Sequence, residues 1–165
     1  MSKSAIMTEL PSTAGGYWIF RTRDIVRIID DMVDMSDAIP SGKWMLFYDK
    51  SLMDAQWIKA CELFDSGRFG ENIRAMKVST FKDNDRSSNP QGGVIIIYTP
   101  TAHKDDVMRW GSYIQEAMDY GPAMYFKTEA QTLAGTLATG QHGNHTLSLP
   151  RRIHWPYMSA SENRR

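Results

Sequence analysis

Two lysines on strand-like segments are the residues best placed to do chemistry. Lys77 lies in the alternating stretch 73–80, and Lys127 ends the stretch 123–127. Alternation puts each lysine on the opposite face of its strand from the apolar side chains. Ammonium groups beside hydroxyl and backbone donors are typical of a phosphate site. We therefore predict that the two lysines bind phosphate on a partly open sheet face, with two solvated strand lysines as the alternative. The neighbouring hydroxyl groups belong to Ser79, Thr80 and Thr128.

A second group of phosphate contacts is predicted nearer the end of the chain. The stretch 132–140 is rich in Thr and Gly, so its backbone N–H groups and the hydroxyls of Thr136 and Thr139 could cradle an anion. Its G-x-x-x-x-G spacing is followed by Gln and His rather than by Lys and Ser or Thr, which excludes a P-loop. Arg151 and Arg152 could fold back as a phosphate clamp. A structural turn and a solvated tail are the alternatives for these two segments.

The aromatic residues are candidates for stacking a nucleotide base. Some tryptophans fall on apolar patterns that predict packing in the core, namely Trp44, Trp57 and Trp110. The candidates for an exposed stacking platform are Trp18, Tyr125 and Trp155. For each tryptophan of this second group, packing remains the alternative.

Catalytic and metal chemistry have weaker candidates. Cys61, the single cysteine, sits in an apolar helical pattern and has no obvious activating neighbour. No serine stands in a strand–elbow–helix context. His142 and His145 supply two zinc ligands where three or four are needed. We therefore predict a protein that is not an enzyme and that uses no metal or cofactor.

The composition limits the class of protein. The chain has 165 residues, with 19 Lys plus Arg against 19 Asp plus Glu. This length predicts one domain, and the balanced charge argues against a protein that coats bulk nucleic acid. Residues 73–165 carry 11 basic and 8 acidic side chains, so an anionic ligand is expected there. Short apolar runs exclude a membrane span, and the lone cysteine without a signal peptide favours the cytoplasm.

The apolar periodicity predicts an α+β fold. Strand patterns occupy residues 16–20, 44–48, 73–80, 94–98, 123–127 and 146–149. Helices are predicted from Asp24 through Val33, from a cap at Ser51 to a stop at Gly67, and around 107–118. We predict a mixed or antiparallel sheet backed by three helices on one face. The expected domain covers residues 16–150, between a flexible N-terminus (1–15) and an irregular basic tail (151–165).

Four segments of the chain resemble a known family. Residues 41–70, 76–80, 93–98 and 125–140, with GKWMLFYD and TEAQTLAGTLATG as their most specific runs, resemble the family named after the basophilic leukaemia-expressed protein. That family resembles the mRNA cap-binding translation initiation factor, which implies a curved sheet backed by three helices. Cap-binding proteins clamp the methylated base between two tryptophans. One of the two lies in the loop that here reads KDNDRSSNPQG, which has no tryptophan, so a cap sandwich in the usual positions is not expected.

A second resemblance, by overall similarity, is to small phage proteins that sequester the cyclic oligonucleotide signals of bacterial immunity (anti-CBASS sponges). We therefore predict non-catalytic binding of a small phosphorylated nucleotide, most specifically a cyclic di- or trinucleotide, in the cytoplasm or, for a viral protein, in the host cytoplasm. A homodimer would suit a symmetric ligand. The alternatives are an RNA- or cap-binding module, a nucleotide phosphoesterase, and a protein-interaction domain.

Overall fold

The structure is a computed structural model that describes residues 9–23, 27–29, 32–34, 42–82, 91–122, 124–128 and 153–154. These ranges contain eight strands and two helices. The strands are β1 (Trp18–Thr22), β2 (Arg27–Ile29), β3 (Met32–Asp34), β4 (Gly42–Asp49), β5 (Ala75–Ser79), β6 (Gly92–Thr99), β7 (Met124–Thr128) and β8 (Ile153–His154). The helices are α1 (Lys50–Asp65) and α2 (Lys104–Met118).

The main sheet has the strand order β1-β5-β6-β4-β7-β8. Its first five strands run antiparallel to their neighbours, and only the short β8 pairs in parallel, with β7. The predicted α+β class and the mixed or antiparallel sheet are therefore confirmed, as is the hairpin of β5 and β6. β8 lies within the segment 151–165, for which we expected an irregular tail.

The predicted helix from Asp24 through Val33 is wrong, so the third helix of the expected fold is not found in the described residues. β2 and β3 instead form a separate two-stranded antiparallel sheet, in which Ile29 lies opposite Met32. Strands form here in place of a helix because the stretch is rich in Ile and Val. These β-branched side chains are restricted at χ1 and favour an extended backbone. Apolar spacing alone could not separate the two structures in so short a segment.

The start of α1 differs from the expected cap at Ser51. The helix begins one residue earlier, and extended Asp49 occupies the N-cap position without a side-chain capping bond. Asp54, the expected partner in a capping box, accepts hydrogen bonds from the backbone N–H (3.0 Å) and the hydroxyl (2.5 Å) of Ser12 instead. Gly67 follows the helix with φ +79°, as its predicted role in ending the helix requires.

The principal core lies between the two helices and one face of the main sheet. Trp44 is fully buried there, and its indole N–H donates to the carbonyl of Val107 at 3.0 Å, which ties β4 to α2. Trp57 and Trp110 are buried in the same cluster, so the three tryptophans predicted for the core are confirmed. No helix in the described part of the chain has both the length and the apolar character that crossing a bilayer would require.

Candidate functional site

The face of the main sheet that points away from the helices carries the candidate site. Alternation along the strands places five aromatic and three basic side chains on it. We call this surface the aromatic–lysine face, and its members are Trp18, Phe20, Phe47, Tyr98, Tyr125, Lys43, Lys77 and Lys127. Met45, Ala75, Ile96 and Tyr98 form a small buried cluster at its centre, against which the other aromatic rings pack. The prediction of a partly open polar face is therefore wrong in its composition, because apolar and aromatic groups fill it.

Lys77 lies among aromatic rings rather than in solvent. Its side chain is only 6% exposed, and its Nζ lies 4.0 Å from the ring centroid of Trp18 and 5.6 Å from that of Phe20. An ammonium over the face of an indole is attracted by the ring quadrupole, more strongly as water is excluded. Lys77 and Trp18 were both predicted site residues, and the structure brings them together as a cation–π pair.

Lys127 does not pair with Lys77. Strands β6 and β4 lie between β5 and β7, so at least about 14 Å of sheet separates the two lysines. The residue directly opposite Lys127 is Lys43, in the register of β4 with β7. Directly opposed side chains in an antiparallel pair have Cβ atoms about 5 Å apart. The predicted pairing of Lys77 with Lys127 is therefore wrong, and the cross-strand pair consists of Lys43 and Lys127.

The pair of Lys43 and Lys127 lies at a sheltered position. Lys127 is 9% exposed and Lys43 is half-buried, with Tyr98 opposite Lys43 on its other side. Coulombic attraction to an anion is several-fold stronger at such a site than in bulk water, because the surrounding dielectric is lower. Two ammonium groups at this spacing can hold one phosphate between them.

The charge of the aromatic–lysine face is uneven along β4. Among the described strands, the one acidic side chain that alternation places on this face is Asp49, at the end of β4. Six residues separate it from Lys43, which is about 20 Å of strand. Along β4 one end of the face is therefore basic and the other end acidic, while Lys77 adds a positive charge near the middle, over the ring of Trp18.

Tyr125 sits next to the lysine pair and offers a ring. It is half-buried and lies two residues before Lys127 on β7, opposite Met45. Its ring contacts that of Phe47 edge to face, with centroids 6.2 Å apart and an interplanar angle of 77°. A base that stacks on Tyr125 would thus have the lysine pair within one nucleotide's length.

The predicted hydroxyl contacts are arranged differently. Ser79 lies on the aromatic–lysine face, where its Oγ accepts a hydrogen bond of 2.9 Å from the backbone N–H of Val94. Thr80 is buried just past β5, and its hydroxyl donates to the carbonyl of Gly16 at 2.5 Å. Thr128 is buried, and alternation places it on the helix-covered face. The hydroxyls of Ser79 and Thr80 thus bond to backbone groups in this structure, and the role of all three hydroxyls toward a ligand stays a prediction.

The remaining predicted site residues lie outside the described residues. They are Thr136, Thr139, Arg151, Arg152 and Trp155, together with the histidine pair His142 and His145. Within the described ranges, no three His, Cys, Asp or Glu side chains come together in a way that could hold a metal ion.

Some members of the face were missed by the sequence analysis. Lys43 directly precedes the run WMLFY, which we interpreted as apolar on both faces, so the lysine was left out of the strand. The signal that could have found it is alternation extended by one residue, since Lys43, Met45 and Phe47 share a face. Phe20 and Tyr98 could have been found in the same way from Trp18 and Ile96.

Cys61 is buried in the principal core at α1. Burial away from water raises the pKa of its thiol to about 12. The nearby Arg21, which is paired with Asp65, only partly offsets that rise. Because a thiolate is the nucleophilic form of cysteine, this residue is unsuited to catalysis at neutral pH.

A known protein family matches most of the chain. The family model of the basophilic leukemia-expressed protein Bles03 matches residues 21–135. A search of curated proteins gave no match. Neither of these findings supports the resemblance to phage sponges.

Solved structures of cap-binding proteins are similar at low identity. An Ascaris suum eIF4E-3 with m7G cap is 18% identical over 68% of this chain and 59% of its own, with a TM-score of 0.47. A C. elegans eIF4E-3 with the 4E-binding protein Mextli is 15% identical over 56% of this chain and 55% of its own, with a TM-score of 0.46. The matched region thus spans less than two thirds of the length of either structure.

Proposed function

The chain belongs to the basophilic leukemia-expressed protein Bles03 family, and from the geometry of the aromatic–lysine face we propose that it binds a phosphorylated nucleotide without converting it. The observation that carries this proposal is the cross-strand pair of Lys43 and Lys127 beside the ring of Tyr125. Basic groups next to an aromatic ring match the two chemically distinct parts of a nucleotide.

The lysine pair would hold the phosphate end. Two ammonium groups on neighbouring strands can each donate to a different oxygen of one phosphate, and charge-assisted hydrogen bonds are about twice as strong as neutral ones. The strand backbones fix the positions of both lysines through the register of β4 with β7. A sheet is a rigid support, so little conformational entropy is lost when the ligand binds.

The ring of Tyr125 would hold the base. Phe47 packs edge to face against it and limits its motion. Every nucleobase has a π face, so stacking here gives affinity with little discrimination among bases.

The uneven charge of the face favours a linear ligand with its phosphates at one end. The basic pair at Lys43 and the acidic Asp49 lie about 20 Å apart on the same strand. The phosphorylated 5′ end of an RNA has this asymmetry, whereas a cyclic oligonucleotide distributes its phosphates around a ring. We therefore propose an RNA 5′ end as the ligand class, and the cyclic ligand stays a prediction.

We also propose that the protein does not chemically convert the nucleotide that it binds. Besides lysine, aromatic and aliphatic side chains, alternation places Thr22, Ser79 and Asp49 on the face, and the hydroxyl of Ser79 already accepts a backbone N–H. The thiol of Cys61 is kept protonated by burial. Neither group is activated as a nucleophile, which supports binding over phosphoester chemistry.

A retention experiment tests this function. The protein is incubated with GTP, a capped dinucleotide, its unmethylated counterpart and a cyclic dinucleotide, then separated, heat-denatured and analysed for what it released. We expect GTP and the linear dinucleotides to be recovered intact, and to be lost from K43Q/K127Q. Recovery of a hydrolysed product would indicate an enzyme. Retention of the cyclic dinucleotide alone would favour the sponge, and no retention of any nucleotide would end the proposal.

A further inference from the structure

The main sheet ends at β1, which has a partner strand on one side. The strand order places β1 beside β5, and no other described strand pairs with it. The next strands along the chain, β2 and β3, form a separate sheet. The outer edge of a terminal strand presents backbone N–H and C=O groups, which makes it a template for one more strand.

The ladder of β1 and β5 determines which backbone groups of β1 point outward. The N–H of Arg23 donates to the carbonyl of Arg74 at 2.9 Å, one residue pair beyond the strand register. Residues of an antiparallel pair alternate between bonding to their partner strand and pointing away from it. The odd-numbered residues of β1 therefore face β5. The residues whose N–H and C=O groups point to the outer edge are Trp18, Phe20 and Thr22.

The side chains beside this edge differ between the two faces of the sheet. Trp18 and Phe20 are half-buried on the aromatic–lysine face. Alternation places Arg21 and Arg23 on the helix-covered face, where Cζ of Arg23 lies 4.5 Å from the ring centroid of Phe64 in α1. A strand that paired with this edge would therefore have aromatic neighbours on one face and arginines on the other.

The two arginines differ in what they bind. Both Nε and Nη2 of Arg21 donate to the carboxylate of Asp65, with the Nε bond at 3.0 Å. Nη2 of Arg23, by contrast, is buried and has no hydrogen-bond acceptor in the part of the chain that the structure describes. A buried donor without an acceptor destabilises the folded state, so an oxyanion beside Arg23 would be stabilising. The neighbouring Asp65 shows that a carboxylate suits an arginine at this edge.

We propose that the outer edge of β1 binds an extended acidic peptide, which adds a strand to the sheet and places a carboxylate at Arg23. In this mode of recognition the backbone bonds give affinity, and alternate side chains give specificity. The peptide would have apolar residues opposite Trp18 and Phe20, alternating with an acidic residue opposite Arg23. A second copy of β1 does not fit, because its sequence WIFRT has no acidic residue to offer.

The test titrates two labelled seven-residue peptides into the full chain and follows fluorescence anisotropy. Glu and Val alternate in the first peptide, and Gln replaces Glu in the second. We expect the Glu peptide to bind about fivefold more tightly, because its bond to Arg23 is charge-assisted. R23Q should abolish that difference. R109Q removes an exposed arginine from α2 and should leave the difference unchanged.

Methylated peptides test the strand pairing separately from the charge. Residues opposite Trp18 and Phe20 in an antiparallel pair would direct their N–H groups to β1, so N-methylation of the valines should remove binding. N-methylation of the glutamates should leave most of it.

Several results would overturn the proposal. Binding that survives methylation of the valines would exclude strand addition, and equal affinity of the Glu and Gln peptides for the wild type would exclude the role of Arg23. Binding of neither peptide would overturn the whole inference, as would a dimer of the chain that the Glu peptide does not displace. Should R23Q fold poorly, the peptide series on the wild-type protein still decides.

Discussion

Lys43 and Lys127 lie directly opposite each other across the ladder of β4 and β7, on the sheet face that the helices leave uncovered. Both side chains are sheltered from solvent, Lys127 at 9% exposure and Lys43 half-buried. A bound phosphate could accept a charge-assisted hydrogen bond from each ammonium group. The pair therefore offers one anionic group two donors from neighbouring strands.

The first prediction concerns this pair. Replacing both lysines by glutamine should weaken the binding of a nucleoside triphosphate by about 10- to 100-fold, because two charge-assisted contacts are lost. The free energy of unfolding without ligand is the second quantity to follow, because the binding comparison requires a folded variant. Titration calorimetry and urea unfolding measure the two quantities.

Lys104 supplies the matched control for the lysine pair. It is exposed at the first position of α2, away from the aromatic–lysine face. K104Q removes one charge of the same kind and should leave the affinity for triphosphate unchanged. A loss of affinity in K104Q comparable with that in K43Q/K127Q would show that net charge, and not the pair, attracts the ligand.

The second prediction concerns stacking on Tyr125. Y125L keeps an apolar side chain on the face but removes the ring, and should cost about 1–3 kcal/mol of nucleotide binding. Because the loss comes from the base, it should be the same for mono- and triphosphate. Y113L on α2 is the control, and an unchanged affinity in Y125L would exclude this ring as the platform.

The third prediction concerns Trp18 and Lys77. Their cation–π contact, 4.0 Å from Nζ to the ring centroid, should appear as a coupling free energy of about 0.5–2 kcal/mol between W18L and K77M. The measurement is urea unfolding of both single variants and the double variant. If the two substitutions change the free energy of unfolding additively, the cation–π contact does not stabilise the protein.

The fourth prediction concerns the reactivity of Cys61. A pKa of about 12, raised by burial, leaves roughly a thousandfold less thiolate near pH 8 than a thiol with the ordinary value of 9.0 would have. Labelling by a disulfide reagent at pH 8 should therefore be at least about a hundredfold slower in the folded protein than in urea. Rapid labelling of folded protein would contradict the burial of this thiol.

The fifth prediction is a decrease in the free energy of unfolding at alkaline pH, caused by the raised pKa of Cys61. The folded pKa of Cys61 lies above its unfolded value, so the stabilising contribution is complete below about pH 9 and is lost as the pH rises toward 12. By pH 10 the loss is about 1 kcal/mol relative to pH 8. Burial also raises the pKa values of Tyr48 and Tyr120, which adds a loss of the same sign at higher pH.

C61A isolates the thiol from the two tyrosines. Its free energy of unfolding should fall less between pH 8 and pH 10 than that of the wild type, by about 1 kcal/mol. Identical decreases in both proteins would assign the alkaline loss to other groups.

The sequence was sufficient to predict five of the six strands of the main sheet, all but β8, because β-branched and aromatic runs such as those of β4 and β6 favour strand over helix. It was also sufficient to place Lys77 and Lys127 on the face away from the core, by alternation. The helix predicted for residues 24–33 was wrong, although the apolar spacing matched a helix. The structure has strands at Arg27–Ile29 and Met32–Asp34, which the β-branched residues of this stretch favour.

The neighbours of each lysine could not be predicted, because strand order in space differs from strand order in the chain. β4 inserts between β6 and β7, so Lys127 meets Lys43 rather than Lys77. No local pattern encodes that insertion, since it depends on how the helices pack against the whole sheet. The burial of Lys77 among rings follows from the same order, which brings Trp18 of β1 beside β5.

The most direct test of the account is the dependence of affinity on the phosphates. Guanosine, GMP and GTP are titrated calorimetrically into the wild-type protein and into K43Q/K127Q at one salt concentration. If Lys43 and Lys127 hold the phosphates, the affinity rises from guanosine to GMP to GTP for the wild type and stays constant for the double variant, while guanosine binds both proteins equally. An equal rise in the two proteins would contradict a phosphate site at Lys43 and Lys127.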